Sequence, residues 1–380
     1  MDFEFSEEHK MLREAIRDFV QKEIAPLVDE AEEKEEFPIE LFPKMGELGY
    51  HCLSYPAEYG AGDMGLTGEC IAIEELAKVS AGIAGALMVQ SGIGTEAVLS
   101  HGTEEQKQKY LIPAIKGQKI AAYGLTEPNA GSDVAAIQTT AVKKSNEYII
   151  NGSKIFITNG PICDFIPVAA YTDKSQGASK GLSLIIVEKD TPGFTRERMD
   201  KFGFRSADTG ELFFDNCVVP AENLIGEEGR GFQYLMEALD AGRISHSARS
   251  LGLAEAAYEA ALSYAQQREQ FGRPIYKFQA ISFKLARMAM DIEAARWLMY
   301  RAAWLYDQGA RRFKEAAMTK LFSSEVCTSV TAEAMQVHGG YALMSDSPVQ
   351  RYFRDSRFTT ITEGTSEIQE IVISRALGLR

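Results

Sequence analysis

The hydrophobic pattern of this 380-residue chain changes twice, and the order of the patterns restricts the fold strongly. Over Ser6–Val28 the apolar residues recur every three or four positions, which predicts an amphipathic helix. Beyond Gly117 the apolar segments become short, rich in Ile, Val, Phe and Tyr, and bounded by turn residues, which indicates strands. After Gly231 the pattern is helical again. We therefore predict a helical domain, a β-domain and a helical bundle. Their expected ranges are 1–117, 118–227 and 228–380.

The same patterns predict individual elements. The predicted strands are Glu147–Ile150, Lys154–Thr158, Leu182–Glu188 and Glu211–Val219. The dipeptide Asn151-Gly152 is expected to form a turn between the first two. Both long helices of the bundle run into a glycine, where a left-handed C-terminal cap is expected. They are Phe278–Gln308, followed by Gly309, and Lys314–Val337, followed by Gly339. A last helix is predicted from Ser366, with Gln369 completing a capping-box pattern.

Composition and element order exclude several classes of function. Lys and Arg number 40 and Asp and Glu number 54, so the net charge of −14 disfavours nucleic acids and anionic membranes as partners. The start of the sequence, Met1–Phe5, lacks the basic and apolar runs of a leader, so we expect a soluble, cytoplasmic protein. A Rossmann domain needs alternating strands and helices, which are lacking here. The segment Gly226–Gly231 has the wrong spacing for a nucleotide fingerprint, and we interpret it as a hinge. The five cysteines lack ligand or redox spacing, so no metal site is predicted.

Four segments carry candidate chemistry. They are Gly124–Asp133 (GLTEPNAGSD), Arg268–Gly272 (REQFG), Gln336–Gly340 (QVHGG) and Glu363–Gln369 (EGTSEIQ). Each resembles a motif of the acyl-CoA dehydrogenase family, and the resemblance covers the whole chain with the same domain order. The last segment is similar to the active-site motif of the short/branched-chain, butyryl-CoA dehydrogenase-like branch. The resemblance implies an α+β fold with an N-terminal helical domain, a middle β-barrel or sandwich domain and a C-terminal four-helix bundle.

The resemblance also implies what the protein binds. FAD is the expected cofactor, an acyl-CoA the substrate, and an electron-transferring flavoprotein the acceptor of the electrons. A homotetramer, built as a dimer of dimers, is the expected assembly. Two alternatives stay open: a flavin oxidase of the same fold that uses O2, and a non-catalytic, assembly-type relative.

Glu363 is the candidate catalytic base. From the residues alone, an acid near a helix start is more often an electrostatic contribution to the helix dipole. The resemblance instead implies that Glu363 removes the α-proton of the thioester, while the flavin accepts the β-hydride. A carboxylate of ordinary pKa is a poor base for this weak acid, so burial must raise its pKa. By resemblance, the Glu363 N–H and a ribityl hydroxyl of FAD hydrogen-bond the thioester oxygen. Other family members place the base at the position of Gly242, which cannot act here.

The remaining site residues are implied by the resemblance. Those expected to contact FAD are Tyr123, Leu125, Thr126, Ser132, Phe156, Thr158, Thr365 and Glu367, and, from a neighbouring subunit, Arg268, Phe271, Gln336, Gly339 and Gly340. Those expected to contact the acyl-CoA are Ser132, Asp240, Arg243 and Gly364. For Asp240 and Arg243 a buried ion pair is an equally good interpretation.

Two positions bear on the acyl group. Glutaryl-type members carry an arginine where this chain has Ala84, and no basic residue lies between Ser80 and His101, so we expect dicarboxylyl-CoA esters to be poor substrates. Thr362 stands where the branch usually has a tyrosine, which would leave room for a branched or alicyclic acyl group. The alternative is that Thr362 points away from a narrow pocket.

Overall fold

The computed structural model describes residues 4–310 and 313–379. Met1–Phe3, part of the segment behind the expected lack of a leader, lie outside these ranges. The observed order of helices, sheet and helices confirms the predicted α+β fold. We retain the division at residues 118 and 228 as a proposal. Within the described ranges, every helix is too short or too polar to cross a membrane.

The N-terminal helices enclose a buried pair, α4 and α5. Their bounds are α1 Glu7–Phe19, α2 Val28–Lys34, α3 Leu41–Glu47, α4 Gly65–Val79, α5 Ala81–Gln90, α6 Glu96–His101, α7 Glu104–Gln106 and α8 Ile112–Ile115. The single helix expected over Ser6–Val28 is instead interrupted by a π-helical turn, Val20–Ile24, and a 3-10 turn, Ala25–Leu27. Pro26 lies in the second turn and has no N–H to continue an α-helical ladder.

The middle of the chain forms one six-stranded sheet with the order β4-β3-β1-β2-β6-β5. The strands, with one short helix between them, are β1 Thr140–Lys144, β2 Glu147–Thr158, β3 Phe165–Tyr171, α9 Ala178–Gly181, β4 Leu182–Glu188, β5 Phe194–Arg198 and β6 Thr209–Pro220. Strands β1 and β3 pair in parallel, and the other neighbours pair antiparallel. Strand β3 is buried along its whole length, so it forms the centre of the β-domain core.

The expected turn at Asn151-Gly152 is wrong. Both residues lie inside the continuous strand β2, where the pairing register with β6 shifts. Gly152 has φ 149°, and a Cβ there would lie 2.4 Å from Thr139 Oγ1. Glycine within a strand thus marks a bulge and a close approach here, which composition alone does not distinguish from a turn.

The C-terminal third is a bundle of long helices. Its elements are α10 Gly231–Gln267, the hairpin strands β7 Glu269–Gln270 and β8 Arg273–Pro274, α11 Gln279–Asp307, α12 Phe313–His338, α13 Pro348–Thr359 and α14 Ser366–Ala376. Gly309 and Gly339 follow α11 and α12 with φ 73° and φ 60°, so both predicted glycine caps are confirmed. Helices α10, α11 and α12 pack against one another through a shared apolar core.

Helices α4 and α10 pack unusually closely, and this contact joins the N-terminal domain to the bundle. A Cβ built on Gly252 of α10 would lie 2.2 Å from the carbonyl oxygen of Glu74 in α4. The Glu74 side chain in turn binds Arg13 of α1 at 3.1 Å and Arg296 of α11 at 3.4 Å. The packing of α1, α4, α10 and α11 therefore depends on the short distance between α4 and α10 at Gly252.

We expect Gly252→Ala to destabilise the protein by about 1–3 kcal/mol, because the added methyl group must push two helix backbones apart. In a relaxed helix the same change would stabilise by about 0.5–1 kcal/mol. Urea unfolding measures the difference, and Gln266→Ala, at an exposed position of the same helix, is the control. A more stable Gly252→Ala protein would contradict this packing.

Candidate active site

Glu363 lies in the turn between α13 and α14, in a left-handed backbone conformation with φ 57°. Such a conformation is unusual for a residue with a side chain and must be held by its surroundings. Lys320 Nζ donates to the Gly364 carbonyl at 2.7 Å. Gln369 Nε2 donates to the carbonyls of Glu363 and Gly364 at 3.1 and 2.9 Å. The turn is thus held from α12 and from α14.

The capping box expected at Ser366 and Gln369 is wrong. Thr365 is the N-cap of α14, and its hydroxyl accepts the Ile368 N–H at 3.4 Å. Gln369 points back to hold the carbonyls of the turn instead of capping the helix. The predicted start of the helix at Ser366 is confirmed. The Gln369 side-chain amide, however, stabilises the turn that carries Glu363.

The Glu363 side chain faces α10 at Gly242. A Cβ built on Gly242 would lie 3.1 Å from Glu363 Oε2, so the two positions at which family members are expected to place the base are adjacent in space. Glu363 Oε2 is buried and has no hydrogen-bond partner within the described residues. The residue as a whole is half-buried because it borders a cavity. A carboxylate oxygen without a donor is free to accept a proton.

Burial raises the pKa of Glu363 above its usual value, and the positive charges of Arg249, Arg243 and Lys320 act in the opposite direction. The net direction is upward, so desolvation outweighs these cations. Burial also lowers the pKa of Lys320 to about 8.

The cavity beside Glu363 has a volume of about 140 Å³. Its lining includes Gly242 and Ser245 of α10, Met88 of α5 and Glu69 of α4. Burial raises the pKa of Glu69 to about 8, so this second carboxyl is largely protonated at neutral pH. Helix α5 contributes Met88 to this lining, whereas Ala84, Gly85 and Ala86 of the same helix do not line the cavity.

Thr362 points away from the cavity. Its hydroxyl donates to the Phe358 carbonyl at 3.0 Å and accepts from Arg249 Nη2 at 3.3 Å. Thr362 is absent from the cavity lining and the Arg249 guanidinium lies beside its hydroxyl, so the geometry favours the interpretation in which Thr362 does not shape the pocket.

Asp240 and Arg243 form the buried ion pair that was one of their two interpretations, with Nη1 and Oδ1 3.3 Å apart. Neither residue lines the Glu363 cavity. Sequence reasoning missed His246, Arg249 and Lys320. The first two follow Gly242 at four and seven positions on one helix, which puts them on the face directed at Glu363.

The loop expected to contact the flavin ring is attached to β2. The backbone carbonyl of Thr126 accepts the Ile155 N–H at 2.9 Å, and Lys154 Nζ donates to the Leu125 carbonyl at 3.0 Å. Tyr123 is buried and its hydroxyl has no partner within the described residues. Burial first, and the Glu363 charge second, raise the pKa of Tyr123.

Strand β2 presents an aromatic ring to the outside of this loop. Phe156 has φ 61° and is 63% exposed, so it does not pack in the core. Thr158 is half-buried and Ser132 is exposed. An unpartnered phenol, a solvent-facing ring and the hydroxyls of Thr158 and Ser132 are groups that suit the edge and face of a flavin. The described residues thus accommodate the cofactor that the motifs imply.

A second, larger concavity of about 490 Å³ lies at the far end of the bundle. It is lined by Arg268, Gly339 and Gly340, and the Arg268 guanidinium lies 5.6 Å from the centre of the Tyr341 ring. It shares no lining residue with the Glu363 cavity, so the larger concavity is not where the candidate base acts.

Three other residues expected at the cofactor, Phe271, Gln336 and Glu367, line neither cavity. Phe271 is 92% exposed, and Gln336 and Glu367 are also exposed. Among the residues that the structure describes, no group of His, Cys, Asp or Glu is arranged to hold a metal ion. The five cysteines are buried and free, as expected.

Comparison with known proteins identifies relatives of the whole chain. Three family models match: the acyl-CoA dehydrogenase N-terminal domain over residues 6–118, the middle domain over 122–217 and the C-terminal domain over 229–378. The "Acyl-CoA dehydrogenase, short-chain specific" of Clostridium acetobutylicum is 44% identical over 98% of this chain and 99% of its own.

Solved structures of the same fold also match the whole chain. Butyryl-CoA dehydrogenase from Megasphaera elsdenii superposes with a TM-score of 0.96 at 44% identity, covering 100% of both chains. A chain from a structure described as "Electron transferring flavoprotein of Acidaminococcus fermentans: Towards a mechanism of flavin-based electron bifurcation" superposes with a TM-score of 0.97 at 46% identity, covering 99% of both chains.

We expect Glu363→Gln to unfold at a higher temperature than wild type at pH 8, with the difference disappearing toward pH 4. A carboxyl with a raised pKa in the folded state is favoured when protonated, so ionisation above the unfolded-state pKa of about 4.3 destabilises the fold. The gain is about 1.4 kcal/mol for each unit of pKa difference.

Thermal unfolding at the two pH values tests this. Glu367→Gln is the control, because the pKa of that exposed carboxyl is lowered by hydrogen bonds to its own N–H and to Thr365, and its loss brings no gain. A wild type more stable than Glu363→Gln at pH 8 would contradict the raised pKa.

Proposed function

The chain belongs to the acyl-CoA dehydrogenase family, a family of flavoprotein oxidoreductases, and on that premise we propose that it oxidises a short acyl-CoA between its α- and β-carbons with Glu363 as the base. The observation that supports this most is the buried, unpartnered Glu363 Oε2 beside a cavity. An unpaired carboxylate is costly to bury and is retained where chemistry requires it.

Proton abstraction is the step that this chain's own residues perform. Glu363 takes the α-proton, and its raised pKa makes the carboxylate a stronger base than an exposed one. Within the described residues the Glu363 N–H donates to no protein acceptor, so it is available to the thioester oxygen. A donor at that oxygen stabilises the negative charge that develops as the α-proton leaves.

FAD is the proposed cofactor and, when bound, supplies the acceptor for the β-hydride. Tyr123, Leu125, Thr126, Phe156 and Thr158 would hold its ring system. Lys154 stabilises the loop that contains Leu125 and Glu127. Its ammonium is buried and binds Glu127 Oε1 at 2.7 Å. Ser132, Thr365 and Glu367 remain proposed cofactor contacts, and Ser132 and Gly364 proposed substrate contacts.

A homotetramer built as a dimer of dimers would complete the cofactor site. In one protomer the Arg268 concavity is separate from the Glu363 cavity, so Arg268, Gly339 and Gly340 would reach the FAD of a neighbour. Phe271 and Gln336 would join them. Helix α11 also exposes a large apolar side chain every seven residues. These are Phe283, Met290, Trp297 and Trp304. Such a stripe is typical of a face that packs on another helix.

An electron-transferring flavoprotein is the proposed electron acceptor, in keeping with the description of one structural relative. A flavin oxidase that uses O2 is the alternative, and rapid-mixing reoxidation in air separates the two: fast in an oxidase and slow in a dehydrogenase. A non-catalytic relative would not need the unpartnered Glu363. A cytoplasmic location remains a proposal.

We expect Glu363→Gln to bind acyl-CoA but to lose substrate bleaching of the flavin by a factor of about 10²–10⁴, because the amide cannot accept the α-proton. Anaerobic rapid-mixing absorbance measures the rate, and calorimetric titration measures binding. Glu370→Gln, at an exposed acid of α14, is the control. Loss of bleaching in Glu69→Gln, with turnover kept in Glu363→Gln, would move the base to the other carboxyl.

We expect Arg268→Ala to lose bound flavin and, at the same time, to dissociate into smaller oligomers. The substitution would remove a charge-assisted contact to the phosphates of a neighbouring subunit's cofactor. Flavin absorbance and light scattering on one sample measure both. Arg273→Ala is the matched control, because that arginine stacks on Phe278 at 4.2 Å in the same hairpin. A fully flavinylated monomer would contradict the shared site.

A further inference from the structure

Arg249 is a buried cation without an acidic partner. It lies on α10 and is 5% exposed. Within the described residues no carboxylate oxygen lies within 4.0 Å of it, whereas buried Arg243 is paired with Asp240. A buried charge is strongly unfavourable unless it is paired, so the protein retains Arg249 at a cost to stability.

The neutral neighbours of Arg249 hold its guanidinium in a fixed orientation. Nη2 donates to His246 Nδ1 at 2.7 Å and to Thr362 Oγ1 at 3.3 Å. Because Nδ1 accepts, the His246 proton is on Nε2, which donates to the Thr359 carbonyl at 2.8 Å. Burial lowers the pKa of His246, so the ring is neutral and does not compete with the arginine for an anion.

The donors of Arg249 are only partly used. Nε is buried without a partner, and Nη1 donates to no described residue. Burial lowers the pKa of Arg249 to about 10, so the side chain still carries its charge at neutral pH. Asp355, the nearby acid, instead accepts the Phe204 N–H at 2.7 Å. A purely structural arginine would satisfy these donors within the protein.

Arg249 does not line the Glu363 cavity, but it lies one helical turn beyond Ser245 of α10, which does. Thr362, which it contacts, directly precedes Glu363. Nη1 lies 2.7 Å from the position that a Cβ would take at Gly85 of α5. Any residue other than glycine would displace the guanidinium, so the arginine occupies the space between α5 and the Glu363 turn. This contact brings a basic side chain from another helix to the stretch between Ser80 and His101, whose own sequence has none.

We propose that the physiological substrate carries a carboxylate at the far end of a short acyl chain, as in a glutaryl-type dicarboxylic thioester, and that Arg249 binds this carboxylate. The inference rests on the proposed function and adds the class of acyl group to it. A guanidinium with free N–H donors suits a carboxylate better than a neutral chain end. The cavity of about 140 Å³ suits a short chain.

The reaction leaves the distal carboxylate unchanged. The α-proton would go to Glu363, the β-hydrogen would leave as hydride to the flavin of the proposed function, and the α–β bond would become double. Two electrons therefore leave the acyl chain, and the product is the 2-enoyl thioester with its distal carboxylate retained.

Paired substrates test the proposal. Glutaryl-CoA and pentanoyl-CoA have acyl chains of equal length and differ in the distal carboxylate. We expect wild type to favour glutaryl-CoA in kcat/KM, and Arg249→Gln to reduce the ratio of the two values by about 100-fold, a typical loss when one partner of a buried charge pair is removed. The ratio cancels differences in folding and flavin content. Arg249→Lys should keep part of the preference, and Arg287→Gln, at an exposed position of α11, should keep all of it.

Binding provides a second readout that does not need turnover. In a Glu363→Gln background, calorimetric titration should show the same preference for glutaryl-CoA, lost on adding Arg249→Gln. Equal or better use of pentanoyl-CoA by wild type, with a ratio unaffected by Arg249→Gln, would overturn the carboxylate subsite and leave the dehydrogenase function standing. If no thioester bleached the flavin, the proposed function would fail, and the binding ratio would still decide the role of Arg249.

Discussion

The backbone turn that carries Glu363 is the feature on which the proposed chemistry depends. A left-handed residue at this position is stable only because Lys320 and Gln369 hold the carbonyls around it. That conformation directs the side chain at Gly242, the place on α10 where a Cβ would approach Oε2 to 3.1 Å. The close packing of α10 on α4 then fixes where this face of the helix lies. The packing of α10 on α4 at Gly252 therefore helps to determine the position of the Glu363 carboxylate relative to a substrate.

Two opposing effects act on the Glu363 carboxylate. Burial raises its pKa, and the cations Arg249, Arg243 and Lys320 lower it. Arg243 is neutralised by Asp240, and Lys320 is bound to a carbonyl, but among the described residues Arg249 has no carboxylate oxygen within 4.0 Å. A substrate carboxylate that pairs with Arg249 would weaken the influence of this cation on the base. Substrate binding would then raise the Glu363 pKa further, so recognition and basicity would be linked.

The sequence allowed prediction of features whose cause is local. The order of periodicities, the glycine caps at Gly309 and Gly339 and the motif around Glu363 all depend on neighbouring residues. Prediction failed where tertiary contacts decide: Asn151-Gly152 bulges within a strand because Thr139 packs against it, and Gln369 holds the Glu363 turn instead of capping a helix. Arg249 was missed because the glycine that makes room for it, Gly85, lies more than a hundred positions earlier in the chain.

The central claim is that Glu363 removes the α-proton, and the isotope effect on that proton tests it most directly. The rate of flavin bleaching is measured anaerobically from pH 5 to 9 with an acyl-CoA deuterated at the α-carbon and with its undeuterated form. The account predicts slower bleaching of the deuterated thioester, and a rate that rises through one apparent pKa above the usual carboxylate range. A rate independent of pH, with no effect of α-deuteration in wild type, would contradict it.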